Sequence, residues 1–392
     1  MPDEAPQKPD HWSQIIPDVE RLLMPGITHV PSPMFNAYYP AGYSYPSIVG
    51  EILSAGIGCV VLNRETSPAC TELEVIVLDW LAKMFGLPRH FLASDDGPGG
   101  GIIQQSASEG VLVALLAAKM RTVKRVKMEN PDWDEDIIKT KLVAYSSVES
   151  NLCVEKAGKL GSMTLRLLPA DQDGRLRGAE LARAILRDKH RGLIPCYVVA
   201  TLGTTGTCAF DCLQEIGQVC QPQRIWLHVD AAYAGAAFVC PEYRHLMEGV
   251  ELADSFTMNP HKWLLANFDC STLWVKDRKY ILDAFSIERP YMKSVESDRE
   301  NYAPDFRNWE IGLGRRFRSL KLWLTLRLYG VAALQDRVRH HVSLAQRFAN
   351  HVRLDPRFEI YKRPQLGLVC FKLKVDETLI FRTGRYSTNN LT

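Results

Sequence analysis

The sequence predicts an α/β fold, a mostly parallel sheet covered by helices on both faces, and three observations predict it. Short β-branched runs recur between helical stretches through the middle of the chain, as in successive β-α-β units. Two Thr/Ser-x-x-Glu pairs each open a long apolar stretch with helical periodicity. The 392 residues, 46% of them hydrophobic and 23% charged, are enough to bury one large core and a smaller lobe.

Taken in order, residues 1–44 are rich in proline, tyrosine and serine, and Phe35-Asn36-Ala37-Tyr38-Tyr39-Pro40 has no core-like periodicity, so this segment reads as an arm. Thr71 and Glu74 form a capping box, after which Leu73, Ile76, Val77, Trp80, Leu81 and Met84 recur at helical intervals until Gly86. Ser106 and Glu109 open a second apolar helix in the same way. Strands are predicted over 142–145, 164–168, 196–200, 225–229, 255–258 and 272–275. Helices then occupy 320–328 and 332–352, followed by a strand-like run at 367–371. The expected organisation is an N-terminal arm (1–44), a large domain (45–319) and an incomplete small domain (320–392).

Composition narrows the function. Net charge is +2, from 47 basic and 45 acidic residues without long blocks of one sign, so nothing suggests a nucleic-acid footprint and a small ligand is expected. The first residues carry no basic, apolar leader pattern, and the longest apolar stretch, 111–118, is too short to span a bilayer. A cytoplasmic protein without a membrane partner is expected. The ten cysteines form no CxxC pair and no Cys/His cluster at zinc spacing, which points to reduced thiols and no metal site.

Three constellations carry chemistry. Gly97-Pro98-Gly99-Gly100-Gly101 precedes the capped helix at Ser106, so free backbone N–H groups and a helix N-terminus could cradle a phosphate; an ordinary glycine loop fits the same spacing. Asp230 ends the apolar run Ile225-Trp226-Leu227-His228-Val229, at the edge where open α/β sheets bind ligands. Its carboxylate needs a partner, either a structural cation or a protonated pyridine nitrogen, with His228 supporting it from behind. Lys262, in Asn259-Pro260-His261-Lys262-Trp263, lies among apolar neighbours, where desolvation favours the nucleophilic free amine. Alone it could be a lysine beside a turn. With Asp230 and the glycines it supplies an imine lysine, a ring counter-ion and a phosphate site, the three anchors of pyridoxal 5′-phosphate (PLP).

The segments Ser67-Pro68-Ala69-Cys70-Thr71-Glu72-Leu73-Glu74, His228-Val229-Asp230-Ala231-Ala232-Tyr233-Ala234-Gly235, Asn259-Pro260-His261-Lys262-Trp263 and Leu313-Gly314-Arg315-Arg316-Phe317-Arg318 resemble the signatures of group II PLP decarboxylases, specifically the aromatic-L-amino-acid decarboxylases. The resemblance runs from about Pro9 to about Lys374. It implies a fold-type I, aspartate-aminotransferase-like subunit acting as a homodimer with its active site at the interface. By the same resemblance Lys262 forms the Schiff base and Asp230 pairs the pyridine nitrogen. Ala107, Ser108 and His261 hold the phosphate, and Thr205, His228, Ala232 and Asn259 border the cofactor. Tyr291 is the mobile-loop proton donor, while Tyr38, Pro40 and Gly314 face the substrate.

The departures bear on the product. Where decarboxylases of the family place a histidine that stacks on the cofactor, this chain has Asn151, which is similar to insect 3,4-dihydroxyphenylacetaldehyde synthases. An amide neither stacks like imidazole nor titrates near neutral pH, so protonation after loss of CO2 is weakened and O2 competes. Asn151 also suits a helix N-cap, and that reading stays open. The substrate wall differs too: Leu62-Asn63-Arg64-Glu65-Thr66 replaces a more apolar stretch, and Ala41 and Gln105 replace threonine and glycine. The expected reaction is oxidative decarboxylation-deamination of L-dopa with O2; the alternatives are simple decarboxylation to the amine and, because both ends are shorter than in relatives, a silent dimerisation partner.

Overall fold

The computed structural model describes residues 4–30, 32–35, 39, 42–61, 66–94, 97–287 and 304–374. The chain divides into two units, Met1–Ala41 and Gly42–Thr392. In the first, helix α1 (Trp12–Asp18) is capped by His11, whose Nδ1 accepts from Ser13 N at 3.3 Å, and Gln14 closes the capping box. Its Trp12, Ile15 and Ile16 side chains are exposed.

The second unit opens with α2 (Tyr45–Ile57), α3 (Pro68–Phe85), β1 (Gly100–Gln104), α4 (Ala107–Glu129) and α5 (Glu135–Thr140). There follow β2 (Leu142–Ser147), α6 (Leu152–Leu160), β3 (Thr164–Leu168), α7 (Gly178–His190), β4 (Ile194–Thr201), α8 (Leu213–Cys220) and β5 (Trp226–Asp230). The large sheet is completed by β6 (Ser255–Met258), α9 (Pro260–Trp263) and β7 (Ser271–Val275), and then come α10 (Lys279–Phe285), α11 (Arg318–Leu354) and a hairpin of β8 (Phe358–Ile360) with β9 (Phe371–Leu373).

The seven strands lie in the order β1-β7-β6-β5-β4-β2-β3. All pairs from β3 across to β6 are parallel, and β7 alone runs against its neighbours. Strands β2, β5, β6 and β7 are buried along their whole length, because helices cover both faces. Edge strand β3 is half exposed. The chain is thus the α/β, mostly parallel architecture the sequence predicts. No helix among the described residues is long and apolar enough to cross a membrane.

Two readings are corrected. Helix α3 starts a turn earlier than the Thr71/Glu74 box predicts, because Pro68 fits its first position and Ser67 is the N-cap. Thr71 Oγ1 instead donates to Ser67 O (3.2 Å) inside the helix, and Glu74 is buried in an ion-pair network. The glycine run is no phosphate cradle: Gly100 and Gly101 begin β1, at the end of the sheet opposite the one where α4 starts. They are small because side chains press on them. A Cβ on Gly101 would lie 2.7 Å from the Trp274 ring, and one on Gly100 3.3 Å from Trp309. The helix at Ser106 is as predicted, with the Ser106 side chain accepting from Glu109 N. The two C-terminal helices are as predicted and meet end to end within α11 at Gly330, whose non-helical φ 69° and ψ 169° favour glycine.

Candidate active site

Parallel strands align their C-terminal ends, and the loops leaving β1, β2, β4, β5 and β6 all emerge at one edge of the sheet. Asp230 is the last residue of β5, cross-registered with Thr201 of β4 and Thr257 of β6. It is buried, 4% exposed. Among the described residues one hydrogen bond reaches its carboxylate, from Ala232 N at 3.0 Å. Burial raises its pKa, and the Lys262 charge and that N–H oppose the rise. Lys262 follows β6 on the short helix α9; burial lowers its amine pKa and the Asp230 charge opposes this. The two groups therefore stabilise each other's ionised forms in a site where water helps little.

The surrounding frame is tightly bonded. Ala232 donates to Asp230 and accepts from Asn259 N (3.1 Å), while Asn259 Oδ1 accepts from Ser271 Oγ (2.6 Å). Asp230 is thus tied to the end of β6 and, through Asn259, to the start of β7. His228, one pleat behind Asp230 on the same face of β5, bonds Ser255 Oγ through Nδ1 at 2.8 Å, and that hydroxyl also accepts from Trp226 Nε1 at 2.8 Å. Its buried Nε2 has no hydrogen-bond partner among the described residues, and burial pushes the imidazole down to about 3.

His261 is buried beside Phe268, with ring centroids 4.7 Å apart. Its Nδ1 accepts from Cys270 N (3.0 Å), which leaves the neutral ring's proton on Nε2 as a donor. Burial, with Lys262 and Lys321, pushes its pKa down to about 4. The loop that carries it is clasped by the first residues of this unit. Gly42 N donates to His261 O, Ser44 Oγ to Leu265 O (2.8 Å) and Asn267 N to Ser47 Oγ (2.7 Å). A Cβ on Gly42 would lie 3.1 Å from the His261 and Lys262 carbonyl oxygens, so glycine permits this approach.

Asn151 caps α6: its Oδ1 accepts from Cys153 N and its Nδ2 donates to Thr205 Oγ1, each at 3.0 Å. The structure therefore brings Asn151 and Thr205 together, and the cap expected as the alternative is present. Ala107 and Ser108 form the first turn of α4 behind N-cap Ser106. Gly314 stands in an exposed loop, where an added Cβ would meet the Val60 side chain at 3.9 Å. Tyr38, Pro40 and Tyr291 lie outside the described residues, as do Ala41 and Leu62–Glu65.

Two features escaped the sequence reading. Cys153 is buried where it senses the charges of both Asp230 and Lys262 and bonds Ser108; burial pushes its thiol up to about 12, so it is an inert wall. The only signal was its place two residues after Asn151. The second is a buried ion network behind the loop of Gly314. Arg315 pairs with Glu74 (2.6 Å) and Glu310 (2.8 Å), and Arg318 with Asp269 (3.1 Å). Glu74 also accepts from Ile103 N (2.8 Å), tying α3, β1 and this loop together.

The site fits PLP by its donor set. It offers a buried carboxylate reached among the described residues by one N–H, an amine kept nucleophilic by burial, a neutral imidazole N–H and a helix N-terminus at one sheet edge. The chain matches the pyridoxal-dependent decarboxylase conserved domain over residues 1–374. It is 53% identical over 386 residues to an aromatic-L-amino-acid decarboxylase of Manduca sexta, covering 97% of this chain and 75% of that one. It is 51% identical over 378 residues to a 3,4-dihydroxyphenylacetaldehyde synthase of Aedes aegypti, covering 96% and 72%. The crystal structure of Oryza sativa TDC with PLP and tryptamine superposes with a TM-score of 0.90 at 36% identity, over 95% of this chain and 76% of that one. Fold, site chemistry and these similarities agree: the chain belongs to the pyridoxal-dependent decarboxylase family, as a PLP-dependent carboxy-lyase of fold type I.

Proposed function

We propose that this chain acts on aromatic L-amino acids and converts L-dopa, with one O2 and one water, to 3,4-dihydroxyphenylacetaldehyde, CO2, NH3 and H2O2. The observation that carries this reading is that both ends of the Asn151 amide are committed, one to Cys153 N and one to Thr205 Oγ1. An amide so held does not titrate and relays no proton to the reacting carbon. The similarity to a relative named as an aldehyde synthase supports it. The more numerous relatives named aromatic-L-amino-acid decarboxylase favour a second reading, amine formation with Tyr291 as proton donor.

When bound, PLP supplies an electron sink for the bond broken at the amino acid's α-carbon. Lys262 offers the amine that holds it covalently, and Asp230 takes the protonated ring nitrogen. Ala107, Ser108 and the His261 Nε2–H hold its phosphate, and Asn151 and Thr205 border the ring. Ala232 and Asn259 keep Asp230 oriented, and the Trp226–Ser255–His228 chain stiffens the pleat behind it. Tyr38, Pro40 and Gly314 are the proposed substrate contacts. A cytoplasmic homodimer completes the reading; the exposed Val49, Ile52, Leu53 and Ile57 of α2 support it, since an apolar face suits a second copy.

The test is turnover of L-dopa in air by the purified chain reconstituted with PLP. Aldehyde and peroxide each formed at about one per CO2 are expected. Dopamine without peroxide would overturn the aldehyde reading and leave the amine one, and absence of CO2 would overturn both.

A further inference from the structure

At the sheet edge opposite Asp230, a cavity of about 550 Å³ lies among the C-terminal half of α4, the starts of β5 and β6, the end of β7 and α10. Its wall carries six cations, Arg121, Lys124, Arg125, Arg224, Lys276 and Lys279, against the carboxylates of Asp254 and Asp283. Arg121 is spent on Asp254 (2.7 Å) and Lys124 on Asp283 (2.8 Å), and Arg224 reaches Glu129 at 3.5 Å. Among the described residues no carboxylate lies within ion-pair distance of Arg125, Lys276 or Lys279. Arg125 Nη1 has only the Gln223 carbonyl at 3.4 Å. Burial lowers the Arg125 pKa, Glu129 opposes this, and the Arg121 and Arg224 charges add to it, the mark of like charges held close.

Basic residues at a helix C-terminus can simply complement the helix dipole. That accounts for Lys127 in the last turn of α4, but not for Arg121, Lys124 and Arg125 further back on that helix, nor for Lys276, Lys279 and Arg224, which arrive from the end of β7, α10 and the turn before β5. The wall is also built. The Arg121 guanidinium packs over the Trp226 ring at 4.6 Å and the Tyr280 ring at 5.4 Å, and its side chain is only 17% exposed. Met128, Ile225 and Leu252 line the cavity with apolar surface. The volume is that of a small-molecule site.

We infer that this cleft binds a phosphate-bearing small molecule, its phosphates taken by Arg125, Lys276 and Lys279 and its organic part set against Met128, Ile225 and Leu252. The site lies at the far edge of the sheet from Lys262, so it is independent of PLP and does not rest on the product assignment. Phosphates of a bilayer surface have the same chemistry, and the experiment separates the two sources.

The experiment is calorimetric titration of the PLP-saturated full chain with pyrophosphate and with ATP, alongside flotation with phosphatidylserine vesicles. Both soluble probes are expected to bind, ATP more tightly for its ring, with affinity falling as salt rises. The double variant K276E/K279E is expected to lose at least tenfold in affinity for both probes while keeping its PLP absorbance and its thermal midpoint. Absence of binding, undiminished binding in the variant, or binding to vesicles without binding of either soluble probe would each overturn the inference.

Discussion

Replacing Asn151 with histidine separates the cap from the chemistry, because this protein already shows how histidine caps a helix. His11 Nδ1 accepts from the N–H two residues on at 3.3 Å, the same i to i+2 contact that Asn151 Oδ1 makes with Cys153 N at 3.0 Å. Histidine at 151 can therefore keep the cap and give up the bond to Thr205. The expected loss of stability is about 1 kcal/mol, one hydrogen bond, or about 1–2 °C of thermal midpoint in a protein of this size. The product ratio responds more sharply. A tenfold change in the partition between protonation and O2 needs a difference of only about 1.4 kcal/mol between two barriers. With L-dopa as substrate, N151H should raise the ratio of dopamine to aldehyde about tenfold and lower peroxide per CO2 accordingly. The ratio should also acquire a titration near pH 6.5 that an amide cannot give. The control is N151S, which keeps a cap without an imidazole and should leave the ratio unchanged. If N151H and the parent give the same ratio and the same peroxide yield across pH 5.5–8 (about the imidazole range), Asn151 is a cap alone and the reasoning fails.

Four further outcomes are expected. K262A should lose the imine absorbance and, after borohydride reduction and digestion, should yield no PLP adduct on the peptide carrying position 262, since among the described residues Lys262 is the amine whose charge acts on Asp230. D230A should lower turnover by about two orders of magnitude, roughly 3 kcal/mol for an unpaired buried charge, with circular dichroism unchanged; parental turnover would make Asp230 structural only. R315M should destabilise the fold by about 3–5 kcal/mol in urea titrations, because Glu74 and Glu310 are left buried without their cation. The pH dependence follows from His261, depressed to about 4 against an ordinary 6.5. A depressed imidazole contributes stability fully present above pH 6.5 and lost as pH falls towards 4, on the order of 3 kcal/mol at 1.4 kcal/mol per unit. H261Q should make the fall of the urea midpoint over that window shallower, the remaining slope coming from buried His228, itself pushed down to about 3; an equally steep profile would refute the assignment.

Six of the seven large-sheet strands were legible, five because strands buried on both faces read as largely apolar runs, where Val198 or Leu227 has no other place to go, and half-exposed β3 from its leucines alone. Strand β1 was missed because its first two residues are glycines, whose smallness answers Trp274 and Trp309, residues far away in sequence. The start of α3 was misplaced because Thr71 and Glu74 look like a box, while the physical start signal was Pro68 after Ser67. At the site, Asp230 and Lys262 were readable from a strand end and a loop with apolar neighbours. The buried pairing of Arg315 with Glu74 and Glu310 was not, since sequence spacing does not reveal which charges leave water together.

The clasp on the lysine loop also bears on the order of folding. Ser44 and Ser47 meet Leu265 and Asn267 across 221 and 220 residues of chain. Closing a loop of that length is entropically expensive, so such contacts form after the sheet has brought the ends together. Emerging from the ribosome, β5 and β6 can pair while the loop of His261 and Lys262 is still unclasped. The His261 ring and the carbonyls beside it then reach their final positions last, so the shape of the Lys262 loop waits on the docking of Ser44 and Ser47.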